Sequence, residues 1–125
     1  MAETLNNNKL FEDIKHYNEF DMEFWYAREL QEVLEYTDWR NFIKVIDKAK
    51  EACKNSKNNV LDHFVEADKM VVIGSGAERE IKDIILSRYA CYLIVQNGDP
   101  KKEAVALGQT YFAIQTRKQE LAEEF

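Results

Sequence analysis

Arg40, Lys44 and Lys48 recur every four residues. On a helix this spacing stacks three cations along one face, about 6 Å apart along the axis. Such a row can follow a phosphate backbone, each neutralised phosphate adding affinity that salt removes. The competing reading is the solvated face of an amphipathic helix, with Asp47 and Glu51 interleaved as partners. On sequence alone that second reading is the more economical. Arg79, Lys82 and Arg88 form a second basic group around the run Ile81 to Leu86, and Arg117 with Lys118 adds a third basic point. By alternation Lys82 points away from Ile81 and Asp83.

Other chemistry is harder to build. Val71-Val72-Ile73-Gly74-Ser75-Gly76 looks like a strand entering a dinucleotide-binding turn, with Asp99 downstream as a ribose-binding acid. Arg79 stands where the third glycine belongs, and the chain lacks room for the rest of a doubly wound sheet. A hairpin turn explains the glycines with fewer assumptions. His16 and His63 lie far apart, neither with a second His or Cys at zinc-ligand spacing. His63 beside Asp62 has an acid/base reading, but a half-buried ring at the end of a short helix is favoured. Ser75 is flanked by glycines outside any nucleophile-elbow context. Cys53 and Cys91 sit among apolar residues, as inert buried thiols do. Glu12-Asp13 and Glu123-Glu124 read as solvated surface. The sequence therefore offers no catalytic residue, no metal ligand and no cofactor site, and the chain is read as a non-enzyme.

The elements that must position these groups follow from periodicity. Met22, Phe24 and Tyr26 alternate with Glu23 and Trp25, a short strand with one buried and one half-buried face. From Ala27 the period lengthens, and Leu30, Val33 and Leu34, with Tyr36 following, predict a helix of about ten residues. Asp38 caps the next helix, whose apolar face is Trp39, Phe42, Ile43, Ile46, Ala49 and Cys53. The polar run Asn55 to Asn59 ends it. A brief helical piece is expected around Val60, Leu61, Phe64 and Val65. Met70 to Ile73 and Ile81 to Leu86 flank Gly74-Ser75-Gly76 and predict a β-hairpin. Ser87 can cap a helix from Arg88 to Asn97 with Gly98 at its end, although Tyr92 to Val95 has strand-like composition. Asp99-Pro100 opens the last helix. Its apolar stripe is Ala104, Leu107, Tyr111, Ile114, Leu121 and Phe125, and Gly108 allows close approach of another helix. No stop signal ends this helix, so the chain is expected to belong to a longer protein or to pair there with a partner.

The whole-chain balance bounds the partners. With 125 residues, 46% of them apolar, one domain with one core is expected. Residues 1–9 read as a flexible N-terminus and residues 10–125 as the domain. Two isolated cysteines indicate a reducing, cytoplasmic compartment. No apolar run is long enough to span a membrane. The net charge of −6 argues against a general nucleic-acid coat. The charge is uneven, however. Residues 1–40 hold ten acids and four bases, whereas residues 41–58 hold two acids and five bases.

Several long runs are familiar. Leu86 to Pro100 (LSRYACYLIVQNGDP) and Gly108 to Arg117 (GQTYFAIQTR) closely resemble the DNA-damage-inducible protein D family of bacteria. Trp25 to Leu30 (WYAREL), Leu34-Glu35-Tyr36 and Trp39 to Phe42 (WRNF) match the same family. The resemblance covers nearly the whole chain from about Phe11. More distantly, the layout is similar to the N-terminal BRO domain of viral and phage regulators. The resemblance implies that Ser87–Asn97 is helical, that the chain is the N-terminal part of a longer protein, and that it acts on DNA or on recombinase–DNA filaments. It carries over no defined site residue.

The reading is therefore a mostly helical α+β domain with a small antiparallel β element, similar to the BRO N-terminal domain. The leading function is a regulatory domain of the DNA-damage (SOS) response that binds DNA, a recombinase filament, or both. Arg40, Lys44 and Lys48 would touch phosphates, with Arg79, Lys82 and Arg88 as a second patch. The alternative is a protein-interaction domain, a homodimer included, that docks a partner through Leu107, Tyr111, Ile114 and Leu121 of the last helix.

Overall fold

A computed structural model describes residues 10–124. The flexible segment expected at residues 1–9, and Phe125 at the end of the last stripe, lie outside the described residues. A helical turn at residues 10–13 puts Phe11 into the core. The chain then forms β1 (His16–Tyr17) and β2 (Glu23–Tyr26), and passes into α1 (Ala27–Val33). Next come α2 (Trp39–Asn55) and a single turn, α3 (Val60–His63). The hairpin strands β3 (Phe64–Val72) and β4 (Glu78–Leu86) follow. Helices α4 (Arg88–Gln96) and α5 (Glu103–Glu124) complete the α+β fold.

The sheet is antiparallel throughout, in the order β1-β2-β4-β3. Its inner face carries Trp25, Phe64, Ile84 and Leu86, all buried. The helices close over that face. The Trp25 ring meets Phe112 of α5 edge-on at 5.4 Å, and its Nε1 donates to the Phe11 carbonyl at 3.1 Å. Leu30 and Leu34 of the α1 segment and Phe42, Ile46, Ala49 and Cys53 of α2 fill the rest. Gly108 is the point of closest approach: a β-carbon there would stand 3.1 Å from both Phe11 Cζ and Val95 Cγ1. Both thiols are buried, and burial pushes the Cys91 thiol well up.

The local signals set most boundaries. Asp38 accepts the Arg40 amide at 2.8 Å and starts α2. Ser87 Oγ accepts the Ala90 amide at 3.0 Å and starts α4, so Tyr92–Val95 is helical. At the hairpin tip the Gly76 amide bonds back to the Ile73 carbonyl with Gly76 at φ +82°, a conformation open to glycine. Leu34-Glu35-Tyr36 acts as a unit. Leu34 is buried, Glu35 turns the chain at φ +64°, and Tyr36 Oη accepts the Asp99 amide at 3.1 Å.

Five expectations need correction. Phe64 and Val65 open β3 rather than extend α3, because Phe64 pairs with Leu86 across the sheet. The hairpin is longer than its apolar runs, since ladder bonds carry it through the charged residues between them. Helix α1 has seven residues, not about ten. Asp99-Pro100 opens a turn, closed by Lys102 N–H on the Asp99 carbonyl, and α5 starts only at Glu103. The buried face of α5 is Val105, Gly108, Tyr111 and Phe112, about one residue offset from the expected stripe, because it must fit Phe11 and α4. Ala104 and Leu107 are half-buried, whereas Ile114 and Leu121 are exposed.

Candidate nucleic-acid interface

Helix α2 is a rigid mount for its basic row. Phe42, Ile46, Ala49 and Cys53 on its core face are fully buried, and Asp38 and the Asn55–Asn58 turn fix its ends. Arg40, Lys44 and Lys48 are all exposed. Among the described residues none of the three pairs with a carboxylate, Asp47 and Glu51 included. Three exposed cations on one helix face can each neutralise a phosphate.

The second basic group is not brought together. Arg79 and Lys82 lie on opposite faces of β4, since their separation of three residues is odd. Lys82 faces inward, opposite Asp68, and lines a cleft of about 230 Å³ with Trp39, Ile43, Asp47, Lys50 and Glu66. That inner face is acidic, with Glu66, Asp68, Glu78 and Glu80 against the single base Lys82. A hydrogen bond shared with Asp68, and that group's charge, push the Glu80 carboxyl above its ordinary value. Arg88 is committed elsewhere: at the start of α4 it forms a half-buried ion pair with Glu23.

Four further placements bear on function. His63 lies half-buried at the end of α3, with Nδ1 2.7 Å from Ser87 Oγ and its ring edge-on to Tyr89 at 5.0 Å. That arrangement supports the α4 cap. Tyr111 is buried within the chain's own core and donates to Glu12, so on α5 only Leu107, Ile114 and Leu121 of the expected partner surface remain available. Asp83, 1% exposed, accepts the Arg28 amide and organises the α1 start, a role no local signal announces. Lys69 has no local signal either, because its neighbours become visible only through the hairpin register, which puts it diagonal to Arg79. Among the described residues no group of three His, Cys, Asp or Glu is placed to hold a metal ion, and no helix is long and apolar enough to cross a membrane.

The sequence places the chain in a family. The profile described as the BRO family, N-terminal domain, matches residues 13–113, and the chain belongs to that family. It is 59% identical over 114 residues to DNA damage-inducible protein D of Escherichia coli (strain K12), a match covering 91% of this chain and 42% of that relative. The chain thus spans about two fifths of the relative's length. No solved structure matches it.

Proposed function

We propose that the chain is a non-enzymatic regulatory domain of the bacterial DNA-damage (SOS) response, acting in the cytoplasm by binding DNA, a recombinase–DNA filament, or both. The observation that carries the reading is the exposed row Arg40, Lys44 and Lys48, unpaired among the described residues, on a helix held rigid from its other side. The relative's name, DNA damage-inducible protein D, supports the biological setting. The net charge of −6 is compatible with contact by one face, because its acids crowd the first forty residues and the inner hairpin face.

The test is duplex and single-strand binding at two salt concentrations, with the chain carrying Arg40→Gln, Lys44→Gln and Lys48→Gln together. Duplex affinity is expected to fall steeply with salt. In the triple variant the slope of log K against log salt should flatten by about 2–3, at roughly 0.9 for each phosphate no longer neutralised. Duplex affinity that ignores salt, or survives the triple variant, would exclude the α2 row. A second reading rests on Ile114 and Leu121, which are 49% and 39% exposed on the outward side of α5. There the chain docks a protein, or a second copy, and never touches DNA. A sedimenting dimer that is indifferent to DNA would favour it.

A further inference from the structure

The register of the hairpin sorts its charges by face. The acids Glu66, Asp68, Glu78 and Glu80 fall on the inner side. The outer side carries Lys69 and Arg79, and its one acid, Asp83, is buried at the start of α1. Lys69 pairs with Ile81 and Arg79 with Val71, so the two cations are diagonal neighbours roughly 7–8 Å apart. Both are exposed, and neither forms an ion pair among the described residues.

The same face carries rings. Phe24 and Tyr26 share it through the β2–β4 and β1–β2 registers, and His16 stands opposite Phe24. The Phe24 and Tyr26 rings meet edge-on at 5.3 Å, and His16 stacks on Phe24 at 5.3 Å. All three are half-buried. Lys69 Nζ lies 5.3 Å from the Tyr26 ring centroid, which joins the cations to the rings. Glu29, bonded to His16 at 2.6 Å, is the acid at the far edge.

Aromatic faces beside a short row of cations on an open sheet suit unstacked bases on a phosphate chain, since every base has a face to stack and every linkage a charge to neutralise. A duplex hides its base faces. We infer that the outer sheet face is a binding platform for single-stranded nucleic acid, with bases on Phe24 and Tyr26 and phosphates on Lys69 and Arg79. This rests on the nucleic-acid reading above but uses a different surface from the α2 row, which lies on the helical side of the sheet.

The experiment measures anisotropy of a labelled oligo-dT strand and of a labelled duplex. It compares the chain with a Lys69→Gln/Arg79→Gln variant and, separately, with Tyr26→Leu. The double variant should weaken single-strand binding about tenfold or more, with its salt slope reduced by roughly 1.4, at about 0.7 per phosphate. Tyr26→Leu should weaken it by about fivefold or more at unchanged salt slope, as expected when stacking is removed. Duplex binding should stay unchanged in both. Single-strand affinity unaltered by the double variant would overturn the platform, even if the α2 variant still abolished duplex binding. An altered sedimentation coefficient with unaltered single-strand affinity would also overturn it, and would mark the face as a protein contact. Failure of the chain to bind either probe would instead sink the nucleic-acid reading itself.

Discussion

Asp83 Oδ1 accepts the Arg28 backbone amide at 3.0 Å, so a strand residue caps a helix 55 positions away in sequence. Tyr26, the residue at the helix's own cap position, supplies no side-chain bond to its amides. Arg28 returns the tie: its Nε donates to the Lys82 carbonyl at 2.8 Å, and its guanidinium lies 4.0 Å over the Trp39 ring. One residue thereby joins β4, α1 and α2. Asp83→Ala removes the acceptor of the half-buried Arg28 amide and of the buried Ile84 amide, and is expected to cost about 1–3 kcal/mol. Asp83→Asn keeps an accepting oxygen and should cost less than half as much. Urea midpoints of the two variants check this, and equal losses would show that the charge, not the cap, matters.

Gly108 sets up a second contest. A helix gains about 1 kcal/mol from Ala over Gly. Here the added methyl would press on Phe11 and Val95 at 3.1 Å each. Phe11 is wedged between Tyr111 and Phe112 at 5.2 Å from each ring, and Val95 is buried and stiff at χ1. Neither can give easily, and overpacking costs typically about 1–3 kcal/mol. Gly108→Ala is therefore expected to lower the melting temperature despite its helix propensity. A higher melting temperature would show that the α4–α5 contact can slide.

What the sequence made legible was local. Asp38 and Ser87 cap with their own side chains two and three residues ahead, and Gly76 takes the left-handed turn conformation at the hairpin tip. The core face of α2 was visible because the helix has polar residues on every other side. The row Arg40, Lys44 and Lys48 followed from that same period. What stayed hidden was set by packing between distant segments. The offset of the α5 face depends on where Phe11 arrives. Arg88 reads as a free cation until Glu23 meets it from β2. Lys82 and Arg79 read as one patch until β4 extends back through Arg79 and puts the two on opposite faces. The cap on Arg28 needs Asp83, which local spacing cannot connect.

Arg88 illustrates the consequence for mutagenesis. Its side chain and that of Glu23 are only 17% and 23% exposed, and Glu23 Oε2 has no hydrogen-bond partner among the described residues. Removing one member strands the other in a poorly solvated place. Arg88→Gln and Glu23→Gln are each expected to destabilise by about 1–3 kcal/mol. The double variant should cost less than the two losses together, the non-additivity of a contacting pair. Denaturation of all three variants measures the coupling. DNA affinity of the folded Arg88→Gln chain should be unchanged, and a salt-dependent loss of affinity would return Arg88 to the interface.

Glu12 and Tyr111 supply a pH signature. Burial pushes the Glu12 carboxyl up, but hydrogen bonds from Lys15 and Tyr111 outweigh it and hold the group below its ordinary value. Burial, and then the bond to Glu12, push the Tyr111 hydroxyl well above the usual phenol range. A carboxyl with a depressed folded-state pKa contributes stability that is present above its unfolded value near 4.5 and is lost as pH falls through the folded value. The raised Tyr111 works in the other direction: its contribution is complete below its ordinary value of 10.0 and fades only in strong alkali. Tyr111→Phe removes one of the two bonds that hold Glu12 down, so the Glu12 contribution between neutral pH and about pH 3 should shrink. Urea unfolding at about pH 7 and about pH 3 tests it. The variant should be less stable than the parent at neutral pH, and the gap should narrow in acid. A gap that is the same at both values would mean that the Tyr111 hydroxyl does not hold the Glu12 charge.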